Sequence, residues 1–249
     1  MLKQLYLGLK FSFSYFSILP VSFQEKDDLS QKQVLGAMLF FLPLVGLVLG
    51  TMTLGLYQLL LPLNWYGAIV SAVFYMILYG FIHTEAVIDV ADALYASHSG
   101  KDAYVIIKEP TVGAMGVLYA IGAVLLKVSG IVFLLMHELF FEFLSVLLIS
   151  RLSLLMLFKL YDFKSSFATL LKEALSKKYL ISSFILFIIL GTLLKSEFLI
   201  FLLIGLSFAY LISFVLKSKL GFVNGDVLGA TLEGVEVLMF LLVALLNES

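Results

Sequence analysis

The sequence predicts an all-α protein. The expected architecture is a polytopic transmembrane helical bundle of about seven spans, plus an N-terminal interfacial or re-entrant helix, in one integral membrane domain over residues 1–249. Three observations carry this. Of the residues, 62% are hydrophobic and 13% charged, with a mean hydropathy of +1.10, whereas soluble domains are about 45–50% apolar and about 25% charged. Apolar runs of about 17–25 residues, the length that crosses a bilayer, recur along the chain. Lys and Arg gather in one alternating set of loops.

Residues 1–23 have Lys3 and Lys10 flanking apolar positions, but Ser12, Ser14, Ser17 and Pro20 interrupt the run. No small-residue cleavage site follows, so the stretch reads as a helix near the interface rather than a signal peptide. The first span is expected at 34–61, kinked by Pro43 and Gly46. A turn at 62–65 leads to a second span at 66–82, and an acid-bearing stretch follows to 111. Further spans are expected at 112–136 and 139–158, around His137-Glu138. A polar loop, 159–178, precedes a hairpin of 179–194 and 198–216, and a loop at 217–226 opens the last span, 227–246.

Seven spans alternate sides. The loops on one side, which include the acid-bearing stretch and both later polar loops, hold thirteen of the sixteen Lys and Arg, against Lys195 alone on the other. Positive-inside bias puts the first set in the cytoplasm. A net charge of −1 argues against a nucleic-acid binder. The absence of cysteine excludes a thiol nucleophile or thiolate metal site.

Within 83–116, Glu85, Asp89 and Asp92 are spaced i, i+4, i+7. On a helix they share one stripe, within about 60° of one another. Clustered carboxylates repel unless a cation sits among them, and hard oxygen ligands suit Mg²⁺, which completes its shell with waters and substrate phosphates. A solvated acidic face has the same spacing, but Ala86, Val87, Ile88, Val90, Ala91, Ala93 and Leu94 enclose this one in apolar sequence. His83 reads as a ligand, a proton carrier or a structural histidine. Lys108 precedes Gly113-Ala114-Met115-Gly116, where the glycines permit either helix packing or a phosphate approach.

The second constellation runs from Asn224 to Glu236. Asn224-Gly225 signals a turn, and Asp226 suits the N-cap of the helix that follows. Glu233 lies seven residues on, on the same face and about two turns deep, with Glu236 deeper still. A carboxylate within a span is functional by default, with a shared metal or a basic side chain as its partner. Lys127, Glu142 and Arg151 are the other charges within spans. Glu142 suits a structural pair, and Arg151 could reach a phosphate.

Together these segments resemble the cobalamin synthase family, adenosylcobinamide-GDP ribazoletransferase. That family carries His-x-Asp-Gly-x-x-Asp-x-x-Asp-Gly-Leu, which stands here as His83-Thr84-Glu85-Ala86-Val87-Ile88-Asp89-Val90-Ala91-Asp92-Ala93-Leu94. Its Lys-Asp-x-x-x-Gly-Ala-x-Gly matches the run from Lys108 to Gly116. Its last-span segment, Thr-Gly-Asp-x-Leu-Gly-Ala-x-x-Glu-x-x-Glu, matches Asn224 to Glu236, and an early Phe-x-Pro-Leu-x-Gly matches Phe41 to Gly46. Glu85 and Glu109 replace aspartates, Ala86 and Ala93 glycines, and Asn224 a threonine. Thr111 and Ile18 stand where arginines are usual.

The resemblance implies a Mg²⁺-dependent transferase joining adenosylcobinamide-GDP to α-ribazole or its 5′-phosphate with release of GMP. Catalytic roles fall to Asp89, Asp92, Asp226 and Glu233, and metal binding to Glu85, Asp89, Asp92 and Asp226. Substrate contacts fall to His83, Lys108, Gly113, Arg151, Asn224 and Gly225. It further implies a bacterial or archaeal cytoplasmic membrane with a cytoplasmic active site, and a homo-oligomer is compatible with it. A CDP-alcohol-type phosphotransferase and a transporter are the rival readings. The first lacks its glycine-then-arginine run here, and no inverted repeat supports the second.

Overall fold

The computed structural model describes residues 2–98 and 100–247, and among them every regular element is helical. The helices are α1 (Leu2–Phe16), α2 (Lys32–Phe40), α3 (Leu42–Leu59), α4 (Trp65–Leu78), α5 (Ile82–His98), α6 (Ala103–Ile106), α7 (Ala114–Met136), α8 (Phe140–Leu160), α9 (Ser166–Ala174), α10 (Lys177–Leu194), α11 (Phe198–Leu220) and α12 (Gly225–Asn247). Among the described residues, α3, α7, α8, α10, α11 and α12 are long and apolar enough to cross a membrane. The pair α4–α5 makes a seventh only if counted as one broken span, bent by 78°.

Two expected spans therefore change. The run 34–61 divides into α2 and α3 at Phe41, because Pro43 sits in the first turn of α3 and suits a helix start. The run 66–82 ends early. Gly80 and Phe81 are consecutive left-handed residues, with φ of 64° and 55°, and they turn the chain out of α4 and into α5. The Leu78 carbonyl at this break accepts from the Ile18 N–H at 2.9 Å. The arm after α1 thus supplies one of the partners that a helix end lacks. The helix α1 is not one of the six spans, and it packs on α2 and α3.

At the centre stands α8, buried on every face from Phe143 to Phe158 and flanked by α3, α11 and α12. A helix apolar all round belongs to a core, as this one does. Alongside, α5 lies between α12 and α7. Its approach to α12 depends on Gly229, where a Cβ would stand 2.7 Å from the Ala86 Cβ.

Four charged groups are enclosed in this core. Lys127 Nζ reaches Glu233 at 2.6 Å and Glu236 at 2.7 Å. Arg151 pairs with Glu236 and donates to the Tyr75 hydroxyl at 2.9 Å. Tyr79 and Thr84 donate to Glu233 at 2.7 and 3.1 Å, and Ser150 to Glu236 at 3.0 Å. Two cations and two anions cancel, and the hydroxyls fill remaining lone pairs, so burial is tolerable. The members come from α4 and its C-cap, α5, α7, α8 and α12, which this network ties at one depth. The expected structural pair of Glu142 also forms, with Lys195 at 2.6 Å.

Removing one member strands the rest. Lys127→Met should destabilise the fold by about 3–5 kcal/mol, the cost of breaking a buried pair, read as thermal unfolding in detergent. Melting indistinguishable from the parent protein would show that the network does not hold the bundle.

Candidate active site

A cavity of about 580 Å³ lies between the start of α12, the start of α5, the C-terminal half of α8 and the start of α9. That volume suits a small-molecule site. Asn224, Gly225, Asp226, Leu228 and Gly229 form one wall, with Ile82, His83 and Ala86 beside them. Tyr15 and Phe16, at the end of α1, close another side. The N-terminal helix is therefore part of the chamber.

Local structure decides how Asp226 is used. The helix start does not take its carboxylate as the cap, because Asn224 does that work: its Oδ1 accepts from the Val227 N–H at 3.0 Å. Its Nδ2 donates to Asp226 Oδ2 at 2.7 Å, steering the carboxylate toward the cavity. The expected N-cap at Asp226 is thus displaced by one turn-forming neighbour, and Asp226 keeps lone pairs free. Asn224 itself is buried and positions rather than covers the site.

Asp89 and Glu85, on α5, are not among the residues that line the cavity. The negative charges of Asp226, Glu85 and Asp92 all act on Asp89, and that of Glu85 acts on Asp226. Among the described residues, none of the four forms an ion pair with Lys, Arg or His. No three of the described acidic or imidazole side chains close around one metal position. Mg²⁺ needs only one or two protein carboxylates when phosphates and waters complete its shell. Any one or two of Glu85, Asp89 and Asp226, none of which is in an ion pair among the described residues, fit that chemistry.

Asp92 is engaged elsewhere. Its Oδ2 accepts from the Gly113 N–H at 2.6 Å and its Oδ1 from the Gly116 N–H at 2.7 Å. It thereby caps α7 from another helix. The two glycines are its seat, since a Cβ on either would lie 2.5 Å from a carboxylate oxygen. Gly113, expected to touch substrate, gives its N–H to Asp92, and its glycine pair with Gly116 serves neither simple packing nor a phosphate loop.

Glu233 and Arg151 also stand apart from the cavity. Seven residues along α12 is a rise of about 10 Å, so Glu233 shares Asp226's face but belongs to the core network. Arg151 is committed to Glu236, Tyr75 and Ser150. His83 does line the cavity, buried and with its ring stacked on Tyr79 at 5.5 Å.

Lys108 also lines the cavity, its ammonium 4.0 Å from the centre of the Tyr104 ring. Lys164, Ser165 and Ser166 join it there. Sequence reasoning passed over these three. The signal was a serine before a short helix: Ser165 caps α9 by accepting from the Ala168 N–H at 3.4 Å.

Asp92→Ala should cost about 1 kcal/mol, the size of a lost helix cap, with Asp92→Asn milder because one oxygen still accepts. Thermal unfolding checks this, and an unchanged melting point for Asp92→Ala would remove the capping role.

Comparison with known proteins finds relatives along most of the chain. An adenosylcobinamide-GDP ribazoletransferase of Brevibacillus brevis is 30% identical over 235 residues, 92% of this chain and 94% of the relative. One from Chlorobium phaeovibrioides is 31% identical over 225 residues, covering 82% and 85%. One from Clostridium perfringens is 28% identical over 262 residues, covering 98% and 100%. No solved structure matches the chain. The model of the cobalamin-5-phosphate synthase family matches residues 8–244, and the chain belongs to that family.

Proposed function

We propose that this protein joins adenosylcobinamide-GDP to α-ribazole or α-ribazole 5′-phosphate with release of GMP. The reaction would run on the cytoplasmic face of a bacterial or archaeal cytoplasmic membrane. Family membership supports the reaction. The carrying observation is one cavity lined by the Asp226 carboxylate and by Lys108 and Lys164.

Phosphoryl transfer needs positioning and charge compensation more than covalent help from the protein. A hydroxyl of the acceptor attacks the phosphorus attached to cobinamide, a new O–P bond forms, and the P–O bond to GMP breaks. Asp226, the carboxylate of the acidic set that lines the cavity, is our choice for the group that takes the hydroxyl proton. One or two of Glu85, Asp89 and Asp226 are our choice for holding Mg²⁺, which when bound would neutralise charge on the transferring phosphoryl oxygens. Asn224 orients Asp226, and Lys108 would meet phosphate. Asp92, Glu233 and Arg151 would then act through the positions of α5, α7 and α12.

GMP release, followed with protein in lipid nanodiscs, tests the assignment. Asp226→Asn should lower the rate at least about 100-fold, the usual scale for a lost acid–base group, and chelation of divalent cations should abolish it. Asp226→Asn turning over at the parent rate would remove Asp226 from the chemistry.

The sidedness has its own test, eased by the absence of cysteine. Ser196 and Ser218 are exposed at opposite ends of α11. A membrane-impermeant maleimide on intact cells should label Ser196→Cys and spare Ser218→Cys until the membrane is opened. The reverse pattern would turn the protein over.

A further inference from the structure

Among the described residues Lys108 and Lys164 pair with no carboxylate, as is true of most of the loop lysines. Instead both ammonium groups rest on one ring, 4.0 and 3.8 Å from the centre of Tyr104. The ring's negative face attracts each cation, but two like charges gathered there still repel. An anion would relieve that repulsion.

The surroundings favour one. The first turn of the nine-residue helix α9 lines the same cavity, and a helix N-terminus favours negative charge. The Lys164 N–H donates to the Val223 carbonyl at 2.8 Å, which ties Lys164 to the segment leading into Asp226. A separate observation points to a ligand. His83 is 6% exposed, lines the cavity and makes no hydrogen bond among the described residues, so a buried polar group is left open to whatever fills the space.

We infer that Lys164, with Lys108 on the Tyr104 ring, forms a phosphomonoester subsite in the cavity that Asp226 also lines. This rests on the phosphoryl-transfer reading above. Two phosphomonoesters arise in that reaction: the departing GMP and the 5′-phosphate of a phosphorylated acceptor. When the P–O bond to GMP breaks, the bridging oxygen and its electron pair stay on GMP, whose phosphate becomes a dianion. A pair of ammonium groups compensates that gain, or holds the acceptor's phosphate.

Equilibrium binding to the full-length protein in nanodiscs tests this, with GMP against guanosine and α-ribazole 5′-phosphate against α-ribazole as matched pairs. Lys164→Met should weaken at least one phosphate-bearing member about tenfold, the size of a charge-assisted hydrogen bond. It should leave the phosphate-free partner unchanged, and Lys164→Arg should recover most of the loss. Loss confined to GMP assigns the subsite to the leaving group, and loss confined to the other pair assigns it to the acceptor. Binding of both phosphomonoesters within twofold of the parent in Lys164→Met and in Lys108→Met, at unchanged melting temperature, overturns the subsite. Lys164-dependent binding without GMP release from the parent protein would instead overturn the reaction and leave the subsite standing.

Discussion

A neutral cluster of two cations and two carboxylates, closed inside apolar helices, is the interaction on which the rest depends. Charge in a hydrocarbon environment is tolerated only with partners in good geometry. Lys127, Arg151, Glu233 and Glu236 meet that condition when α7, α8 and α12 stand at one relative depth, with Tyr75, Tyr79 and Thr84 bringing in α4 and α5. Sliding any of these helices by a turn would separate charges by about 5 Å. Apolar packing sets no such register, since one leucine contact replaces another. The charges therefore index the bundle, and the cavity above them inherits that precision.

Both site-bearing helices grade from anchor to chemistry. On α12, Glu236 and Glu233 are in the core, Asp226 faces the cavity about 10 Å nearer the end, and Asn224 caps the first turn. On α5, Thr84 joins the core and His83 the cavity, Glu85 and Asp89 follow, and Asp92 reaches across to α7. Carboxylates close in sequence thus end in three environments. Depth along the helix and the donors met there decide which.

Much of this was legible beforehand, where the information is local. Apolar runs marked the long helices, the i, i+4, i+7 spacing put Glu85, Asp89 and Asp92 on one stripe, and Asn224-Gly225 marked the start of α12. The account of Glu142 as half of a structural pair held. What was hidden depends on partners distant in sequence. Asp92 looks like Asp89 until Gly113 and Gly116 arrive, 21 and 24 residues later. Glu233 looks like a site carboxylate until Lys127, 106 residues away, claims it. The break at Gly80-Phe81 was missed because hydrophobicity continues through it while the backbone does not. Lys164 was one lysine among several until Tyr104 gathered it with Lys108.

The seat of Asp92 also bears on how such a chain can change over generations. Its two hydrogen bonds use backbone N–H groups, which every residue but proline offers, yet the space around them admits no Cβ at position 113 or 116. A drift to alanine at either glycine would have to wait for a shorter side chain at position 92, and that change in turn would empty the start of α7. Each single step passes through a worse protein. These three positions are therefore expected to drift together or stay together, a small ratchet against divergence set within a bundle whose lipid-facing positions are free to exchange one apolar residue for another.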